Sequence, residues 1–343
     1  MKPIFARPLM LRLARLAPLG GSLALILSSL GCATTGGARP AAGDLGTPSV
    51  ELTEADLEVG YLCPMHPDHT AEAAGQCPIC GMQLVLGKPW DMRDYRLDFT
   101  TSPAVPVARE RVTLKLGVLQ PDGGDIVRNF ELVHDMPYHL FVISQDMEFF
   151  RHIHPEQGED GAWSIGVVLP KPGAYAILSD FLPKGGSAQF LARPLVTAGY
   201  DGDVLAQSAQ LVPDISPLQT VGPLRAQVSY DPPIMRAGSY AHIRLSISTA
   251  DGNQAVRELE PYLGAFGHML IMDEQMFDYV HSHPTENPVA SIPIEQQRGG
   301  PDVMFEGLMP KAGRYRAWTQ VKYRGEIYTF ANTFEVFDIG VNP

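Results

Sequence analysis

The chain predicts a mainly β protein: a small metal-knuckle module followed by two tandem β-sandwich domains related by an internal repeat. Three observations carry this. From about residue 91 onward, short alternating segments are punctuated by proline and glycine, of which the chain holds 30 and 33, as in sandwiches and barrels. The stretch beginning at His139 returns 129 residues later at His268. Three of the four cysteines lie between Cys63 and Cys80. A chain of 343 residues has room for two domains and a small module, at about 100 to 200 residues per domain.

Taken in order, residues 1–31 carry Lys2, Arg7, Arg12 and Arg15, no acid, and then the run "SLALILSSLG". A basic stretch, an apolar run too short to span a bilayer and small residues after it make up a secretory signal peptide. The mature protein is therefore expected to be exported, to the cell envelope or periplasm. The box "SSLGC" resembles a bacterial lipoprotein cleavage site, with Ser29 where leucine is usual. That resemblance implies lipidation of Cys32 and a membrane anchor. Residues 32–59 are rich in Gly, Ala, Pro and Thr without apolar periodicity and read as a flexible tether. The formal charge is −12, and −16 once the four basic residues of 1–31 are gone, which disfavours nucleic acid as a partner.

Residues 60–90 form the cysteine module, with Cys63 and His66 on one knuckle and Cys77 and Cys80 on a C-x-x-C bend. Such a bend aims two sulfurs at one point, and thiolates favour zinc, copper(I) and similar soft ions. Three cysteines do not form an even disulfide set, and the βαβ context of a redox C-x-x-C pair is missing. Met65 and Met82 stand beside the ligands, where thioethers suit copper(I) or silver(I). The elements "YLCPMHPD" and "GQCPICGMQLV" resemble the bacterial heavy-metal-binding domain of copper-transporting ATPases and of copper and silver efflux adaptors. The resemblance implies metal binding through Cys63, Cys77 and Cys80, with His66 and the methionines as further partners. It departs from the pattern at His69, an extra ligand or a solvated loop residue. Structural zinc and metal capture both remain open on spacing alone.

The first β-sandwich is expected over 91–215 and the second over 216–343. At the 129-residue offset, Leu114, Leu116 and Val118 fall on Ile243, Leu245 and Ile247, an apolar-in, polar-out strand in each copy. His139, His152 and His154 fall on His268, His281 and His283, and Met147 falls on Met276. After an insertion of 11 residues in the second copy, "PKPGAY" from Pro170 matches "PKAGRY" from Pro310. A duplicated fold must keep its apolar pattern, but histidine has no such packing equivalence, so its recurrence at three places points to metal.

Residues two apart on a strand share a face. His152 and His154 therefore point the same way, and His139 joins them if an even number of residues separates the strands of the hairpin. Three imidazoles suit copper or zinc and leave a position open. The alternative is that these histidines decorate a turn. Met147 and Met276 are expected in packing. His134 and His242 have no counterpart and are expected at the surface. Glu131 and Glu260 match across the copies and are expected as solvated charges more than as partners of an imidazole. Asp180 becomes Gln320 in the second copy, which speaks against a shared catalytic acid. The β region also resembles immunoglobulin-like or cupredoxin-like envelope domains, but no cysteine follows Cys80, so a blue-copper site within it is disfavoured.

Together these features predict a non-enzymatic, exported protein that binds copper, with zinc or silver as alternatives. It would buffer the ion or hand it to an envelope efflux or transport protein. The competing expectation is a zinc-stapled structural or adaptor lipoprotein whose β domains bind a protein partner. A metalloenzyme with an open three-histidine site comes third, because the sequence shows no nucleophile, phosphate loop or paired acid.

Overall fold

The computed structural model describes residues 60–63, 69–79, 81–88, 95–121, 124–203, 209–252, 254–282, 284–285 and 292–340. The expected signal peptide and tether and the expected lipidation site Cys32 lie outside the described residues, as do Met65, His66, Cys80 and His283. The described chain is almost entirely antiparallel β, with a three-residue 3-10 turn at Ile294–Gln296.

The cysteine module is a three-stranded sheet of β1 (Gly60–Leu62), β2 (Thr70–Ala71) and β3 (Val85–Gly87), in the order β2-β1-β3. Its small core is Cys63, Cys77 and Leu84, with Tyr61, Ala71 and Met82 packed against it. So small a core gains from docking, and Leu62 packs with Val133 and Leu182 of the first sandwich. The Lys88 N–H also donates to the Gly186 carbonyl at 3.0 Å. At Gly87 a Cβ would lie 2.5 Å from that same carbonyl oxygen, so the approach of the two backbones requires glycine.

The first sandwich comprises β4 (Arg96–Ser102), β5 (Arg111–Leu119), β6 (His139–Ser144), β7 (Phe150–Ile153), β8 (Glu156–Gln157), β9 (Trp163–Val168), β10 (Ala174–Phe181) and β11 (Gln189–Val196). They form two four-stranded sheets, β4-β5-β9-β8 and β11-β10-β6-β7, around a core that includes Leu114, Leu116, Val118, Leu140 and Ile177.

The second sandwich repeats the plan with β12 (Leu218–Val221), β13 (Leu224–Asp231), β14 (Tyr240–Thr249), β15 (His268–Asp273), β16 (Tyr279–Ser282), β17 (Asp302–Leu308), β18 (Gly313–Tyr323) and β19 (Glu326–Val336). Its sheets are β12-β13-β14-β17 and β16-β15-β18-β19. Ile243, Leu245 and Ile247 lie in its core, as the repeat predicts.

The two sandwiches meet through a third apolar layer. Leu140, Val142 and Ile177 face the first core, while their neighbours Phe141, Ile143 and Leu178 pack with Leu270, Met272 and Trp318 of the second domain. Because side chains alternate across a strand, β6, β10, β15 and β18 each bury one face inside their own sandwich and the other in this junction. The Phe150 and Trp318 rings stack there at 4.9 Å and 7°. Met147 and Met276 lie at hairpin turns with φ of 58° and 61° and pack into the same layer, as expected from the sequence.

Candidate metal centre

The histidines sit at one edge of the junction, and strand register puts them there. In the β6–β7 hairpin, Phe141 pairs with His152 and Ile143 with Phe150, leaving the six residues 144–149 between the last pair. That number is even. Continuing the register sets His139 opposite His154, with His152 on the same face.

The ring nitrogens of His139, His152 and His154 all lie within 4.8 Å of one another. His139 Nδ1 is 3.0 Å from His152 Nε2 and 3.2 Å from His154 Nε2. A tetrahedral ion with N–metal bonds of about 2.0–2.1 Å needs ligand nitrogens roughly 3.3 Å apart. The two separations from His139 are close to that spacing, and the donor set suits zinc or copper in kind.

Hydrogen bonds fix which nitrogens face inward. His139 Nε2–H donates to the Val133 carbonyl at 2.8 Å, so in the neutral ring Nδ1 carries the lone pair. His152 Nδ1–H donates to Gln320 Oε1 at 2.9 Å, across the domain boundary. The Gln320 amide is oriented in turn by its N–H donation to Thr329 Oγ1 at 3.2 Å. His152 Nε2 is therefore also a lone-pair nitrogen. In this arrangement two acceptors face each other at 3.0 Å, and an ion bound to both would relieve their repulsion. A proton is a poor candidate, because burial and the neighbouring imidazoles push His139 down from 6.5 to about 4 and His152 well below 6.5. Burial, then His139 and His281, brings His154 down to about 4 as well.

The second domain contributes to the same place. His268 Nε2–H donates to the Tyr262 carbonyl at 2.6 Å, repeating the His139–Val133 bond. His281 Nδ1–H donates to Asp180 Oδ2 at 2.8 Å, reaching into the first domain. The exchange is reciprocal: Asp180 lies opposite His139 in β10 and Gln320 opposite His268 in β18, and each holds a histidine of the other domain. The sequence showed Asp180 and Gln320 as unlike residues at equivalent positions. It did not show that both orient imidazoles.

His134 corrects an expectation. It is only 9% exposed rather than at the surface, and its ring lies 5.8, 5.8 and 5.5 Å from those of His139, His268 and His281. Burial and these imidazoles hold its pKa well below 6.5. It occupies a tight turn at residues 133–136, whose central residues have φ of 54° and 62°, and the second copy makes the same turn with Leu263 and Gly264 at 53° and 76°. The turns abut, since a Cβ on Gly264 would lie 3.2 Å from Asp135 Oδ2. Absence from the other copy was a misleading signal. Proximity in sequence to His139 was the useful one.

The remaining expected residues divide. His242 lies away from the cluster, beside Glu306 at 3.2 Å and over a third exposed. Glu260 accepts from the Gly325 N–H at 3.0 Å, a turn contact rather than an imidazole contact. In the module, Cys63 and Cys77 are buried together, with Met82 beside them. Cys77 accepts at its carbonyl from the Gly81 N–H at 2.7 Å, and its own N–H donates to the Met82 carbonyl at 2.8 Å. With Gly81 at φ 74°, this is a tight knuckle of the sort that presents thiolates. His69 accepts at its carbonyl from the Cys63 N–H at 3.1 Å.

Fold and site thus define a tandem β-sandwich protein with a docked cysteine module and a histidine-lined domain junction. The chain belongs to the family described as domain of unknown function (DUF8832), which it matches over residues 91–193 and 220–338. Residues 61–85 match the heavy metal binding domain. No curated protein matches the chain. Among solved structures, the Escherichia coli adhesin FdeC aligns over 72% of this chain at 11% identity with a TM-score of 0.23. This chain spans 66% of that adhesin's length. A two-domain fibronectin type-III segment of chicken tenascin aligns over 71% of this chain and all of its own, at 11% identity and a TM-score of 0.20. MtrC from Shewanella baltica aligns over 73% and 71% at 7% identity and 0.25.

Proposed function

We propose that this is an exported, non-enzymatic metal-binding protein that captures copper in the cell envelope and buffers it or passes it to an efflux or transport partner. One observation carries the reading. His139 Nδ1 and His152 Nε2, each held as an acceptor, face each other at 3.0 Å with His154 Nε2 closing on the same point. Fixed lone pairs converging in a buried place make an ion site. The heavy metal binding domain at 61–85 supplies thiolates of the kind that hold copper(I) or silver(I). The signal-like segment 1–31 and the box before Cys32 support export and lipid anchoring.

The copper is cargo in this reading, so the protein's work is selection and retention. Buried neutral imidazoles favour copper or zinc over alkaline-earth ions, and thiolates add a softer store. The test is metal analysis of the purified mature chain with competitive titration by copper(I), copper(II), silver(I) and zinc. The expected result is copper at both the module and the junction, with H152A and H154A each removing junction copper. Copper stoichiometry untouched by both substitutions would overturn the junction site. Zinc retained against excess copper would favour the stapled adaptor instead.

A further inference from the structure

The cysteine module packs on the turn that orients His139. We propose that module and triad are coupled: an ion on the module's thiolates tightens its docking on the first sandwich, and the docked module tightens copper binding by His139, His152 and His154. The inference rests on the reading of these three histidines as a metal site and adds the element that regulates it.

The contact runs through few residues. Leu62, which precedes Cys63, is buried with Val133 and Leu182, and Met82 packs both there and against the core of Cys63 and Cys77. Val133 opens the 133–136 turn, closed by two backbone bonds with Met136 of 2.9 and 3.1 Å. Its carbonyl also accepts from His139 Nε2–H at 2.8 Å, the bond that leaves the His139 lone pair on Nδ1. Leu182 lies two residues beyond Asp180, which pairs with His139 across β10 and β6. Its carbonyl accepts from the Glu131 N–H at 2.9 Å, on the chain leading into the turn. The module is thus seated on one residue that holds His139 and on another in the segment that follows its partner strand.

Duplication supplies a control. In the second copy Tyr262 stands at the position of Val133, closes the same turn with Ala265 at 2.8 and 3.3 Å, and holds His268 through its carbonyl. Lys322 stands at the position of Leu182 and its carbonyl accepts from the Glu260 N–H at 2.8 Å. Both are half-buried rather than buried. The backbone bonds are the same, so the sandwich can be built with tyrosine and lysine at these places. The buried valine and leucine of the first copy are therefore fitted to the module, on the domain whose three ring nitrogens converge.

The module has the means to respond to an ion. Two of the three residues in its core, Cys63, Cys77 and Leu84, are thiol residues, and binding at a site absent from the unfolded chain returns its free energy as folding. A filled module is therefore better ordered and better docked than an empty one. The sign of the coupling is positive, because docking supports the turn whose carbonyl fixes His139, and loss of an orienting partner weakens metal binding. Linkage makes it reciprocal: what the filled module adds to copper affinity at the triad, copper there adds to the module's affinity for its ion.

The probe is copper(II), titrated into the full chain against a competing chelator and read by electron paramagnetic resonance. Four chains are compared: the native chain with its thiols filled by silver(I), the chain with Cys63, Cys77 and Cys80 replaced by serine, and silver-filled L62E and G87A. L62E sets a charge against Val133 and Leu182. G87A places a Cβ 2.5 Å from the Gly186 carbonyl oxygen and so parts the module from the sandwich without altering Val133 or Leu182, which keeps the test decisive should L62E misfold. Triad copper is expected to be at least about 5-fold tighter in the silver-filled native chain than in the other three, with the copper-free thermal midpoint of the sandwiches unchanged. Equal copper affinity in all four overturns the inference and leaves the triad standing. A weakening confined to chains whose sandwich midpoint also falls overturns it as well, and no copper at the triad in any chain overturns both readings.

Discussion

At the scale of single residues, the junction depends on groups that never need to touch the ion. Gln320 decides which nitrogen of His152 is available, and it belongs to the other domain. Replacing it with leucine leaves a buried imidazole N–H without its acceptor, an arrangement that costs about 1–3 kcal/mol, and releases the ring to its other tautomer. Loss of such an orienting partner typically lowers metal affinity by about 10- to 100-fold. Q320L is therefore expected to weaken junction copper within that range in a competitive titration, while Q320E, which copies the Asp180 arrangement, retains it. Equal affinity in Q320L and the parent would show that the tautomer is set elsewhere. His139, His152 and His154 were legible because they recur. Gln320, Asp180 and His134 were not, since their roles depend on a domain contact that spacing within one copy does not encode.

At the scale of strands, β6 and β15 read "HLFVIS" and "HMLIMD", with the first buried throughout and the second buried up to its final aspartate. Alternation appears plainly in β5, where one face meets solvent, and vanishes in β6, where both faces are covered. The continuous apolar run is thus the sequence trace of the junction, and it explains why Phe141, Ile143 and Phe150 fall on Leu270, Met272 and Tyr279 at the 129-residue offset. A loss of alternation could mark any strand covered on both sides, so it did not identify the covering partner. The stacked Phe150–Trp318 pair is the most direct test of that layer. W318A deletes a buried aromatic ring, a change that typically costs about 3–5 kcal/mol, and it lies outside both sandwich cores. The second domain's thermal midpoint should fall and junction copper should weaken along with it. A large loss of stability with unchanged copper binding would mean that the histidines are positioned without the aromatic layer.

At the scale of the whole molecule, four buried histidines and the half-buried His154, all with depressed pKa values at one domain junction, make the metal-free protein sensitive to mild acid. In the folded chain, burial and mutual repulsion hold His139 and His154 near 4 and His134, His152 and His268 well below 6.5, with the Asp180 carboxylate only partly offsetting this at His139. In the unfolded chain each titrates near 6.5. Because the folded values are the lower ones, the unfolded state binds more protons below 6.5, and stability rises with pH through that window. The contribution is complete above about pH 6.5 and is lost as the pH falls from there through about 4. Carboxylates begin to titrate near the lower end of this range, so the interval from 6.5 to 5 isolates the histidines. With metal removed by a chelator, the urea midpoint is expected to fall steadily across that interval, and more shallowly in a chain carrying H134L and H268Q. Saturating copper at pH 7 should raise the midpoint, since an ion bound only by the folded state stabilises it by mass action. A metal-free midpoint that stays flat between pH 7 and 5 would mean that the imidazoles take up protons in the folded state and that the junction is wetter than its packing indicates.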